Sequence, residues 1–99
     1  MVEITKILEL STAHLTKEVA LELDILSAAD CAAYECLSVY SKGKYGFFVY
    51  ILEESYAENK DQLPECLATC VALAIENDCT MICFDGAGPV EPGIPEYNW

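Results

Sequence analysis

Arginine is absent from this chain, and five lysines and one histidine stand against 17 carboxylates, for a formal net charge of −12 over 99 residues. Without a guanidinium fork nothing holds a phosphate bidentately, and the chain's own field repels a polyanion, so direct nucleic-acid binding is disfavoured. No window holds the run of about eighteen apolar residues that a membrane span needs. Met1-Val2-Glu3-Ile4 has neither the basic start nor the apolar core of a secretory signal. These absences lead us to expect a cytoplasmic protein with no membrane association. A second histidine is missing, and no two of Cys31, Cys36, Cys66, Cys70, Cys79 and Cys83 are separated by two residues, so the zinc spacings are unmet. We expect reduced cysteines packed as small hydrophobes, no metal held by them, and no cofactor. Nor is there a nucleophile elbow, a phosphate loop or an HExxH pattern.

What is present is hydrophobe: 54% of residues are apolar and 22% charged, too apolar a mix for a disordered chain. The length suits a single domain over 1–99, burying roughly 60–65% of the surface exposed by the unfolded chain.

Periodicity divides the chain into six elements. Glu3 to Glu9 alternates as a half-buried strand, which Ser11 to His14 breaks. Thr16 as N-cap, with Val19, Ala20, Leu23 and Leu26 at helical spacing, predicts a first helix to about Leu26. Leu37 to Tyr40 and Tyr45 to Leu52 predict a hairpin turning through Ser41-Lys42-Gly43-Lys44. Its second strand is apolar on both sides, with Phe47, Val49 and Ile51 facing one way and Phe48, Tyr50 and Leu52 the other. Glu53 to Asp61 is polar and acidic and reads as a loop. Leu63 or Pro64 opens a second helix whose buried stripe is Leu67, Cys70, Val71, Ala74 and Ile75, ended by Asn77 and Asp78. Cys79 to Phe84 is a last strand, followed by a Pro/Gly-rich tail from Asp85.

The order β-α-β-β-α-β predicts an α+β, ferredoxin-like fold: two helices on one face of a four-stranded, mainly antiparallel sheet. The Phe48, Tyr50, Leu52 side then needs a cover, either the tail with Ile94, Tyr97 and Trp99 or a second copy in a homodimer. In that topology the first strand ends at one edge of the sheet and the last at the opposite edge, so His14 and Asp85 stand ~17–20 Å apart. A hydrolytic set of His14 with Ser11, Thr12 and Asp85 is thereby weakened, and His14 is expected to cap the first helix or pack beneath a loop. A small-molecule-binding or metal-dependent enzyme domain centred on His14 or Asp85 remains the alternative to a binding protein.

Glu53, Glu54, Glu58, Asp61 and Glu65 crowd thirteen positions with only Lys60 opposing them, and Tyr50 and Tyr56 lie among them. Such a segment is either a solvated face or a surface offering a nucleic-acid-like field to a basic cleft, with steering that speeds association. These seven residues are the candidate partner-binding set. Calcium ligation fits poorly, since the segment lacks the EF-hand spacing and its central glycine.

Ser11-Thr12-Ala13-His14, Leu23-Asp24, Tyr40, Lys42-Gly43, Tyr45-Gly46, Leu67, Cys70, Cys79, Asp85, Gly88-Pro89-Val90, Pro95, Tyr97 and Trp99 together resemble a family of small bacterial and phage proteins known only as a domain of unknown function. The resemblance covers nearly the whole chain. It implies a protein of phages, plasmids and other mobile elements, sometimes linked to antirestriction proteins. Where that family often carries a second acid in the Asp-x-Asp-Gly-Pro-Val stretch, this chain has Ala87, which speaks against a paired-carboxylate metal site. Resemblance and charge together imply a non-enzymatic interaction protein in a bacterial host cell, inhibiting a host defence protein or nuclease complex of the restriction or CRISPR type by acidic mimicry, aromatic contact or both.

Overall fold

A computed structural model describes residues 4–28, 37–41 and 46–97, with residues 26–28 and 53–54 described by backbone alone. Cys31, Cys36, Lys42, Gly43, Lys44, Tyr45 and Trp99 lie outside the described residues.

The chain opens with β1 (Ile7–Ser11), where Leu8 and Leu10 turn inward, and bends through a 3-10 turn at Thr12–His14. Helix α1 (Lys17–Ala28) follows. Thr16 starts it as the sequence predicts, its Oγ1 accepting the Val19 N–H at 3.3 Å, and Val19, Ala20 and Leu23 are buried. Strands β2 (Leu37–Ser41) and β3 (Gly46–Ile51) form the expected hairpin. Helix α3 (Glu65–Glu76) starts after Pro64 and buries Cys66, Leu67, Cys70, Val71 and Ala74. It ends in a Schellman arrangement: Asp78 takes a left-handed φ of 60°, Cys79 N–H donates to Ala74 O at 2.8 Å and Asp78 N–H to Ile75 O at 3.0 Å. Strand β4 (Met81–Asp85) completes the sheet.

Two expectations are corrected. The acidic stretch is not a loop: it forms α2 (Glu53–Asn59) and a 3-10 turn (Lys60–Gln62). Nothing in it breaks a helix, and Glu53 and Glu54 open it at the positive end of the helix dipole. Asn59 Nδ2 donates to Ser55 O at 2.9 Å, and half-buried Tyr56 packs the helix onto the core. Polarity was a sign of solvation here, not of irregular backbone. The element order is therefore β-α-β-β-α-α-β.

The second correction concerns the sheet, which is mixed and ordered β1-β4-β3-β2, with β1 parallel to β4 and the other pairs antiparallel, so the ferredoxin-like order fails. Burial explains the change. Met81, Ile82, Cys83 and Phe84 are four consecutive buried residues, a pattern that needs neighbours on both sides, whereas β1 carries exposed Ile7 and Glu9 and suits an edge. Residues of α1 and α3 share one core with Leu10, Leu37, Val39, Phe47, Val49, Ile51, Ile82 and Phe84, so both helices cover the same face of the sheet. Among the described residues no helix is long and apolar enough to cross a membrane.

Cys66, Cys70, Cys79 and Cys83 are buried. Burial, helped by neighbouring Cys66, pushes the Cys70 thiol from 9.0 up to about 12. The folded value lies above the unfolded one, so this contribution to stability is complete below pH 9.0 and is lost as pH rises toward about 12. The slope is about 1.4 kcal/mol per pH unit inside that window. Urea midpoints at rising alkaline pH should fall faster for the parent than for Cys70→Ala, and parallel losses would show that Cys70 stays unshifted.

Candidate functional site

Parallel pairing of β1 with β4 brings together what the antiparallel order kept apart. Ser11 stands opposite Asp85 in the register, and Asp85 stands opposite Gly46 on its other side. The stretch after β1, the turn after β4 and the start of β3 therefore share one end of the sheet. His14 lies at this end, buried to 1% exposure. Its Nδ1 is 2.7 Å from Pro95 O, and its Nε2 is 2.8 Å from the Glu91 N. A carbonyl accepts and an amide donates, so the ring is the neutral tautomer with hydrogen on Nδ1 and a lone pair on Nε2. Both nitrogens are committed to the backbone of the tail. His14 thus packs beneath a loop, as one of its two expected roles had it, and in this arrangement has no nitrogen left for proton transfer.

Further bonds fasten the same tail. Ser11 N–H donates to Pro89 O at 2.8 Å and Tyr97 N–H to Ala13 O at 2.7 Å. Ser11 Oγ accepts from Ala13 N–H at 3.1 Å, and Asp85 Oδ1 accepts from Ala87 N–H at 2.8 Å, closing an Asx turn. Gly88 passes so close to β1 that an added Cβ would lie 2.7 Å from Leu10 O. The residues that carry the resemblance at the two ends of the chain, Ser11 to His14 with Asp85, Gly88, Pro89, Pro95 and Tyr97, thus meet in one clasp. Its chemistry is backbone hydrogen bonding.

Beside the clasp, a cleft of about 650 Å³ runs between the first turns of α1 and the sheet end. Lys17, Ala20, Leu21 and Asp24 form its helical wall at i, i+3, i+4 and i+7, facing Thr12, Phe47 and Asp85. Its size suits a small ligand.

Among the described residues, no helix packs on the other face of the sheet. Register places Ile7, Glu9, Met81, Cys83, Phe48, Tyr50, Ser38 and Tyr40 on it. Tyr40 is 53% exposed and Tyr50 41%, and their rings meet edge to face with centroids 5.8 Å apart. Leu52, just past the strand, is also exposed. Of the tail residues expected to cover this face, Ile94 and Tyr97 do not lie over it, and Trp99 is outside the described residues. Ile94 and Tyr97 pack against the helix-side core instead. Tyr40, a hairpin residue in the sequence, is not among the seven predicted partner-binding residues, because the register that makes it Tyr50's neighbour depends on the turn; its alternation with Val39 was the available signal.

Of the predicted partner-binding set, Glu58, Asp61 and Glu65 are exposed, Tyr50 lies on the helix-free face, and Tyr56 is half-buried against the core. Glu53 and Glu54 are placed by backbone at the start of α2, and their side chains lie outside the description. Tyr50 and Tyr56 therefore do not form one aromatic patch.

A family model described as the C-terminal domain of a family of unknown function, DUF5983, matches residues 7–99. No curated protein and no solved structure matches the chain.

Proposed function

The chain belongs to the DUF5983 family of unknown function, and from that premise we propose that it is a non-enzymatic interaction protein of a phage or other mobile element. In this reading it inhibits a host defence complex, such as a restriction or CRISPR nuclease, in the bacterial cytoplasm. The carrying observation is the sheet face on which Tyr40 and Tyr50 are exposed, and which no described helix covers, in a chain of net charge −12. Tyrosines on a rigid sheet supply contact area at low entropic cost and are frequent hot spots. The exposed carboxylates of Glu58, Asp61 and Glu65 favour a basic partner, as a nuclease channel is, and act through encounter. The clasp supports the non-enzymatic side of the proposal, because His14 and Asp85 spend hydrogen bonds on the tail backbone.

The test is capture of the partner from a bacterial host, followed by cleavage assays with and without the pure protein. An inhibitor is silent alone and blocks cleavage when added; turnover by the protein alone, or cleavage unchanged at saturation, would refute the proposal. In the same assay, Glu53→Gln, Glu54→Gln and Glu58→Gln together should change stability by no more than about 0.5 kcal/mol per site. They should slow association and weaken its salt dependence. Tyr50→Ala should speed dissociation. Tyr56→Ala is a poor probe of binding because that ring also packs the core. Unchanged association of the triple variant across low and moderate salt would return the acidic helix to a solvated surface.

A further inference from the structure

We infer that the cleft between α1 and the sheet end binds a short apolar peptide of about three residues by its free termini, with the carboxylate at Lys17 and the ammonium at Asp24. Lys17, Ala20, Leu21 and Asp24 on α1 and Phe47 and Asp85 opposite them, all described residues, line it. Its volume of about 650 Å³ is in the range of small-ligand sites. Ala20, Leu21 and Phe47 make the lining apolar, and Leu21 holds a large side chain at the rim, 54% exposed.

Charge fixes the class of ligand. Asp24 and Asp85 both line the cleft, so a simple anion meets two carboxylates here as well as the field of a chain with net charge −12. A simple cation leaves Lys17, which enters no ion pair among the described residues, without a counter-charge. A ligand carrying both charges answers both ends. Lys17 and Asp24 stand seven residues apart on one wall, which is about 10 Å along the helix axis. Three extended residues span about the same 10 Å between terminal ammonium and carboxylate. Direction follows from the helix: Lys17 is its first residue, where the positive end of the dipole adds to the side-chain ammonium in favouring a carboxylate. Asp24 has an interaction of its own within the chain, and an ionised carboxylate offers about four acceptor positions, so the ligand's ammonium adds to that interaction. The peptide's side chains then lie against Leu21 and Phe47, and its termini supply the selection. Binding here does not rest on the inhibitor reading, since none of the residues given to the partner surface takes part.

Titrating the full chain with the tripeptide Ala-Leu-Ala, followed by amide NMR shifts, should show saturable binding with a Kd of about 1 mM and the largest shifts at Leu21 and Phe47. The N-acetylated tripeptide and the tripeptide amide, each lacking one terminal charge, should bind about tenfold more weakly. Lys17→Ala, at an exposed position outside the core, should bind free acid and amide equally while keeping the penalty for acetylation. Asp24→Asn should do the reverse, losing the penalty for acetylation and keeping that for the amide. Shifts that do not saturate by about 10 mM, or that centre on Tyr40 and Tyr50, overturn the site. Blocked peptides that bind as well as the free one overturn recognition by the termini, as does a Lys17→Ala protein that still separates acid from amide.

Discussion

Replacing His14 by alanine should cost about 3 kcal/mol of stability and loosen the tail from Gly88 onward while the sheet persists. The imidazole is 1% exposed, so truncation leaves a cavity. It also strands two backbone groups, the Pro95 carbonyl and the Glu91 amide, each now bonded to a ring nitrogen. Glu91 and Pro95 are themselves exposed residues, so water takes up part of what these two groups lose, and the full effect needs the lost bonds and the cavity together. His14→Phe separates the contributions: it restores volume without either bond and should recover less than half of the loss. Hydrogen exchange gives the spatial readout. The amides of Glu91 and Tyr97, bonded to His14 Nε2 and Ala13 O, should lose protection first, whereas the central strand amides change only with global stability. Thermal midpoints for a domain of this size move roughly 4–8 °C per kcal/mol, so the alanine variant should melt more than 10 °C below the parent. A variant within about 1 kcal/mol of the parent, with Glu91 still protected, would show that the clasp is held elsewhere.

The same residue shows what the sequence could and could not yield. Helix α1, the hairpin, α3 and their inward residues follow from period and caps, because local pattern and tertiary burial agree there. The pairing of β1 with β4 does not follow from any local pattern, since parallel and antiparallel neighbours bury a strand equally well. One signal existed: Cys79 to Phe84 is apolar throughout while Glu3 to Glu9 alternates, which favours the last strand for the middle of the sheet and the first for its rim. Missing it placed His14 and Asp85 at opposite edges of the sheet, although Ser11 and Asp85 are register partners. For α2 the failure was different. Among the described side chains of Glu53–Asn59, Tyr56 is the only apolar one packed on the core, too few for a 3.6-residue period to stand out from a polar loop. Among the candidate residues, exposure of Glu58, Asp61 and Glu65 was legible from charge, while the separate roles of Tyr50 and Tyr56 were set by their elements, a flat strand and a helix seated on the core.

The clasp also limits what the family resemblance can mean for function. Residues that form a pattern at both ends of a chain invite a catalytic reading, yet here they also close a tail over a strand end, so part of the pattern carries architecture.

Gly46→Ala should be the most damaging glycine-to-alanine change among the described glycines, costing about 3 kcal/mol or more. Gly46 begins β3 opposite Asp85, and an ideal Cβ there would lie 1.7 Å from Phe84 O and 2.7 Å from Phe84 C. Those are backbone atoms of a central strand, so no rotamer change relieves the clash. β3 must lift from β4, with loss of ladder bonds beside the fully buried Phe84. The conformational freedom of glycine is not the issue, because the demand is for space between two backbones. Gly88→Ala should be intermediate, with Leu10 O at 2.7 Å but a tail that can move. Gly93→Ala meets nothing nearer than a Glu91 side-chain oxygen at 3.6 Å and should be neutral or stabilise by up to about 0.5 kcal/mol through the unfolded chain. Urea unfolding of the three variants should therefore rank Gly46, Gly88 and Gly93 in falling order of loss. If Gly46→Ala unfolds within about 1 kcal/mol of Gly93→Ala, the close approach of β3 to β4 at this end is wrong, and with it the strand-end geometry that brings Ser11, Gly46 and Asp85 side by side.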